Sequence, residues 1–137
     1  MWDIPVERKL QKDIADAAYG EVLVAGYGLG LVQKYLLENP NVKLVVTTEK
    51  TPKVIKECTR VYGKIYGDVI IGDFFTYPED NQFDCVIGDI WADILPECLG
   101  EYKKFKAKAV GLVKEGGKIL AWGQDYFEFL LGKERMA

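Results

Sequence analysis

The sequence predicts an α/β fold, a doubly wound parallel sheet of about five strands, and three observations carry that prediction. Short apolar runs rich in β-branched residues recur at residues 22–25, 42–48, 69–71, 83–87 and 118–122. Between them, apolar residues stand three and four apart, the period of a helix with one buried face. The runs are nearly continuous in apolar character, as expected where both faces of a parallel sheet are covered. Strands alternating with helices through right-handed crossovers give the Rossmann-like order 3-2-1-4-5, with a crevice between strands one and four.

Each element follows from its residues. Val6, Leu10, Ile14 and Ala17 share one helical face, with Pro5 suited to the first turn and Gly20 just past the end. Strand one occupies residues 22–25. Gly26-x-Gly28-x-Gly30 then turns tightly, since glycine has no Cβ to block close approach, and a helix opens behind it at Leu29 or Gly30. Val32, Tyr35 and Leu36 form its buried stripe, and Asn39-Pro40 stops it. Strand two, residues 42–48, ends at Glu49. Thr51 as N-cap and Pro52 at the first position start a helix whose apolar face is Val54, Ile55, Cys58 and Val61. Strand three, residues 69–71, closes at Gly72-Asp73. A polar loop over 77–82 leads to strand four at 83–87, and residues 88–93 form a loop. Tyr102, Phe105, Ala109, Leu112 and Val113 line a long helix ended by Gly116-Gly117. Strand five is 118–122, and 126–131 form a short final helix.

Composition narrows the chemistry. Residues 1–137 suit a single domain, and 49% apolar with 28% charged residues allows a core without staples. A net charge of −3 provides no footprint for nucleic acid or an anionic membrane. No apolar run is long enough to span a bilayer and no signal segment is read, so a cytoplasmic location is expected. Cys58, Cys85 and Cys98 are odd in number and lack CxxC spacing, which reads as reduced thiols. With no histidine and no serine, serine–histidine triads, cysteine–histidine pairs and histidine zinc sites are excluded, and no metal is expected. A general base must then be Asp, Glu, Lys, Tyr or a thiolate.

Four polar signals fall at four strand ends. The glycine turn at Gly26, Tyr27, Gly28 and Gly30 leads into a helix N-terminus that offers unpaired N–H groups. Leu31 stands where a dinucleotide fingerprint wants its third glycine, which counts against a nicotinamide dehydrogenase. Glu49, followed by Lys50, can accept from both hydroxyls of a ribose; otherwise it is a solvated loop carboxylate. Asp73 can accept from an adenine amino group while Phe74 covers the ring; otherwise it caps an Asx-turn. Asp89 can face a nucleophile or cap a turn. Trp91 can wall the cavity, stack on a cation or pack under the next helix. Asp93 and Glu97 add negative charge near the same rim, Glu97 more simply as an acidic helix start.

From Glu21 to Trp122, about three quarters of the chain, the sequence resembles a class I S-adenosylmethionine-dependent methyltransferase domain. The matching pieces are VLVAGYGLG at 22–30, Glu49 after VKLVVTT, Gly72-Asp73-Phe74, FDCVIGDIWAD at 83–93 and KAVGLVKEGGKILAW at 108–122. GYGLG and Asp89 are most similar to the spermidine synthase-like branch. Trp2-Asp3-Ile4-Pro5, Tyr27 and Asp89 also resemble small-molecule guanidino N-methyltransferases. The Asp-Pro-Pro-Tyr pattern of exocyclic-amine DNA methyltransferases is absent.

The resemblance implies S-adenosylmethionine, or its decarboxylated form, as cofactor. Gly26, Gly28 and Gly30 would admit its methionine end, Glu49 would hold the ribose and Asp73 with Phe74 the adenine, with Tyr27 and Lys50 also among the cofactor-binding residues. Asp89 would border its reactive end and serve as the catalytic group, orienting an amine-like small molecule and accepting its proton. Trp91 and Asp93 would contact that substrate. Two departures stand out. Val24 occupies the position where the family usually has an acidic residue, and the usual strands six and seven are not found after strand five. These keep a non-catalytic binding or regulatory subunit, and an aminopropyltransferase-like enzyme, as alternatives to methyl transfer. The open sheet edge suggests a homo-oligomer.

Overall fold

The computed structural model describes residues 5–91 and 94–136, leaving Trp2, Asp3, Ile4 and Asp93 outside the described residues. Five parallel strands form one sheet in the order β3-β2-β1-β4-β5. They are β1 (Gly20–Ala25), β2 (Val42–Glu49), β3 (Asp68–Ile71), β4 (Phe83–Gly88) and β5 (Val113–Ala121). The helices are α1 (Pro5–Asp16), α2 (Leu31–Glu38), α3 (Pro52–Tyr62), α4 (Leu99–Leu112) and α5 (Gln124–Met136).

Side-chain alternation along β1 divides the core in two. Val22 and Val24 face one way, with Val45, Cys85 and Ile87, and are covered by Ala15 and Ala18 beside α1 and by Val32 and Leu36 of α2. Leu23 and Ala25 face the other way, under Tyr102, Phe105 and Ala109 of α4 and Phe127 of α5. β1 is therefore buried on both faces, and its carboxyl end is the fixed point from which the glycine turn departs.

α1 buries a different face from the predicted one. Gln11 and Ala15 are fully buried and Ala18 nearly so, whereas Leu10 is 38% exposed. The side chain of Val6 lies outside the described ones. Small Ala15 and Ala18 let the helix approach the sheet closely, and that contact turns the Gln11 side inward.

The helix before β5 also ends earlier than predicted. It stops at Leu112, and Val113 already pairs with Phe83. The register then jumps to Cys85 opposite Lys118, so Gly116-Gly117 lie in a bulge of β5 rather than at a helix end. Asn81 enforces the early exit: its Nδ2 donates to the carbonyls of Val110 and Val113, at 3.2 and 2.9 Å. The final helix is longer than predicted, because Phe127 carries α5 into the aromatic core.

No crossover helix joins β3 to β4. Residues 72–82 make only a 3-10 turn at Phe74–Thr76 and a loop. Phe74 stacks on Phe105 at 5.5 Å and Tyr77 meets Phe83 at 5.9 Å. These two rings cover the sheet in place of a helix, and Ile70 and Ile71 on β3 stay 44% and 50% exposed.

Candidate functional site

A cavity of about 450 Å³ opens at the carboxyl ends of the strands. It gathers residues that lie far apart in sequence: Gly26 and Gly28 after β1, Glu49 and Lys50 after β2, Asp73 and Phe74 after β3, and Asp89 after β4. These are seven of the sequence-predicted positions.

The glycine turn is built by backbone demands. Gly26 has φ +87°, and a Cβ there would lie 3.0 Å from the Asp89 carbonyl oxygen. Any side chain would push the β1 and β4 loops apart. Gly30 has φ +78° and sits on the Tyr27 ring, where a Cβ would come within 2.6 Å of the phenol oxygen. Gly30 thus makes room for Tyr27 and does not line the cavity.

Glu49 is 8% exposed and both its oxygens are engaged. Oε1 accepts from the Tyr27 N–H at 2.9 Å, and Oε2 from the Thr51 N–H at 3.0 Å. The carboxylate ties the glycine turn to the start of α3. Thr51 is the N-cap residue of α3, but its side chain makes no capping bond. Gln33 adds a second tie, donating to the Gly26 carbonyl and to Thr47 Oγ1, each at 3.2 Å.

Asp73 Oδ1 accepts from the Phe75 N–H at 2.9 Å, which is the Asx-turn arrangement, while the residue also borders the cavity. Asp89 is partly buried. Its N–H donates to the Ala25 carbonyl at 3.3 Å, and its Oδ2 accepts from Gln11 Nε2 at 3.4 Å.

Tyr27 and Trp91 are placed differently from the reading that put them at the ligand. Tyr27 is 1% exposed and does not line the cavity, and its hydroxyl accepts from the Tyr66 N–H at 3.0 Å. Trp91 is 3% exposed, and its Nε1 donates to the Trp122 carbonyl at 3.0 Å. Its ring meets Tyr102, Phe105 and Phe127 edge-on at 5.5 to 5.7 Å. Trp91 packs under α4 because the aromatic face of that helix offers it more apolar contact than the rim.

Burial pushes the Tyr27 phenol and the Cys58 thiol above their usual ranges, and Cys58 Sγ donates to the Gly28 carbonyl at 3.3 Å. Neither supplies an anion at neutral pH.

Sequence reasoning missed several lining residues. Thr48 and Ile90 neighbour the predicted Glu49 and Asp89 and were within reach. Glu101 and Lys104 come from α4 and reach the cavity together, as their three-residue spacing allows. Thr48 Oγ1 is buried and has no partner. An orphaned polar atom costs about 1–3 kcal/mol unless something satisfies it.

No family model and no curated protein matches the chain. Solved structures do. An S-adenosylmethionine-dependent methyltransferase from Clostridium acetobutylicum matches with TM-score 0.57 and 17% identity over 86% of this chain and 50% of its own. A proposed methyltransferase from Bacillus halodurans matches at 0.58 with 27% identity, over 82% of this chain and 48% of its own. The fold is a Rossmann-like methyltransferase fold. Spermidine synthase from Thermotoga maritima matches at 0.57 with 18% identity, over 77% of this chain and 37% of its own, so the fold does not separate the two branches. The chain spans about half the length of the two methyltransferase structures. Among the described residues, no helix is long and apolar enough to cross a membrane.

Proposed function

We propose that the protein is an S-adenosylmethionine-dependent transferase that moves a methyl group to a small amine-like substrate. The observation that carries this reading is the convergence of four strand ends on one cavity, where Glu49, Asp73 and Asp89 supply acceptors beside Phe74. That donor set fits the cofactor. Carboxylates suit ribose hydroxyls, an adenine amino group and a cationic centre, and the phenyl ring suits a purine face.

S-adenosylmethionine supplies an electrophilic methyl carbon on a sulfonium. The chain supplies position and charge. Gly26 and Gly28 let the backbone approach the ligand closely. Glu49 and Lys50 border the ribose, and Asp73 with Phe74 the adenine. Asp89 orients the amine and takes its proton. Positioning of this kind is the main source of acceleration in a simple displacement.

Calorimetry with S-adenosylmethionine tests the reading: micromolar affinity is expected, lost in Asp73→Ala and in Glu49→Ala. Asp89→Asn is expected to bind cofactor while losing turnover with an amine panel. Unchanged affinity in both alanine variants would overturn the site. Tighter binding of the decarboxylated form would point to aminopropyl transfer.

A second reading is a non-catalytic subunit, favoured by the full engagement of Glu49 with backbone amides. It predicts no turnover with any amine and no effect of Asp89→Asn. We also propose a cytoplasmic homo-oligomer that binds neither nucleic acid nor membrane. The three cysteines are free, and the outer edge of β5 has no strand partner among the described residues. Sedimentation analysis checks the assembly.

A further inference from the structure

Gln11 is a polar residue on a helix face whose other buried members are small and apolar. It is fully buried beside Ile14, Ala15 and Ala18. Leucine, similar in size, would fill the same space without burying an amide. The amide does have one partner: Nε2 donates to Asp89 Oδ2 at 3.4 Å, across 78 residues of sequence. Its Oε1 is buried with no partner, so the side chain is kept inward at a penalty that packing does not explain. A contact of 3.4 Å is long for a hydrogen bond, and such contacts at reactive sites often tighten once ligand is bound.

We infer that Gln11 is a positioning residue for Asp89, reaching from α1 to hold the carboxylate that borders the cavity. This rests on the cavity being an S-adenosylmethionine site. Asp89 is fixed through its backbone by Ala25. The Gln11 amide adds a contact to its side chain from α1, and Gln11 itself does not line the cavity. A neutral donor adds no charge beside the carboxylate, whereas lysine would. Glu49, Lys50, Asp73, Glu101 and Lys104 are the other charged residues lining the cavity among those described.

The test uses the full chain with Gln11→Leu and Gln11→Glu. The Asp89 carboxyl is titrated by carbon-13 NMR, its signal assigned by comparison with Asp89→Asn, and S-adenosylmethionine affinity is measured by calorimetry. Gln11→Leu removes the donor, so the Asp89 midpoint should rise, and affinity should weaken about tenfold with the melting temperature unreduced. Gln11→Glu sets two carboxylates side by side, so the pair should titrate in two coupled steps about one pH unit or more apart. A purely structural Gln11 would leave the Asp89 midpoint unmoved in Gln11→Leu. An unchanged Asp89 midpoint in Gln11→Leu would overturn the inference, whatever the affinity. An Asp89 midpoint that responds to both variants, in a wild-type chain that does not bind S-adenosylmethionine, would uphold the pairing and remove the cofactor reading instead.

Discussion

Glu49 holds the glycine turn in place before any ligand arrives. Its two oxygens accept from Tyr27 and Thr51, so the residue read from sequence as a ribose ligand is first a clasp between two loops. Glu49→Gln keeps one acceptor and sets an amide NH₂ against a backbone N–H. Urea unfolding should show a loss of about 1–3 kcal/mol, with cofactor affinity falling at least tenfold; wild-type values for both would mean the clasp is idle. Trp91 offers the contrasting case, a residue whose importance is packing. Trp91→Ala empties a site ringed by Tyr102, Phe105 and Phe127 and should cost about 3–5 kcal/mol in the same measurement. Trp91→Phe should cost less, losing chiefly the bond to the Trp122 carbonyl.

At the level of elements, the docking of α5 on α4 should respond to pH. Glu128 accepts from Lys106 Nζ at 2.8 Å and from the Tyr102 hydroxyl. Lys106 first, then Tyr102, holds the Glu128 carboxyl below its usual range, while burial first and Glu128 second push the Tyr102 phenol up. A depressed carboxyl pKa stabilises the fold above its unfolded value of about 4.3, and that contribution is lost as pH falls through the folded value. Glu128 is one-third exposed, so solvent screens it and the effect should stay below about 1 kcal/mol. Melting temperature followed from pH 6 to pH 3 should fall less steeply in Glu128→Gln than in the wild type; equal slopes would rule the clamp out. Elements were also where the sequence was most legible. Continuous apolar runs, such as 22–25, announce themselves because both faces are buried. The orientation of α1 and the end of α4 did not, because they depend on partners distant in the chain. Ala15 and Ala18 set the helix face through close approach to the sheet, and Asn81 ends α4 from 29 residues away. The site followed the same rule. Glycines and strand-end carboxylates were readable from local sequence, whereas Gln11, Glu101 and Lys104 acquire meaning only through the crossing of helices over the sheet.

For the molecule as a whole, ligand binding and stability are one equilibrium. S-adenosylmethionine at one hundred times its dissociation constant should stabilise the native state by about 2.7 kcal/mol. A rise of several degrees in melting temperature is the expected reading, and no shift at millimolar ligand would count against the site. Sheet topology adds a second consequence. β3 has one strand neighbour, no crossover helix behind it, and two isoleucines facing solvent. Its loop nevertheless supplies Asp73 and Phe74 to the cavity. Opening that wing should need far less energy than unfolding the β1–β4 centre. Deuterium uptake should therefore be fastest in the amides of residues 68–76 in the ligand-free chain, and slowest in β1. An adenosyl ligand gripped by that loop should slow uptake there more than anywhere else. The thinnest part of the sheet would then double as the door through which the purine enters.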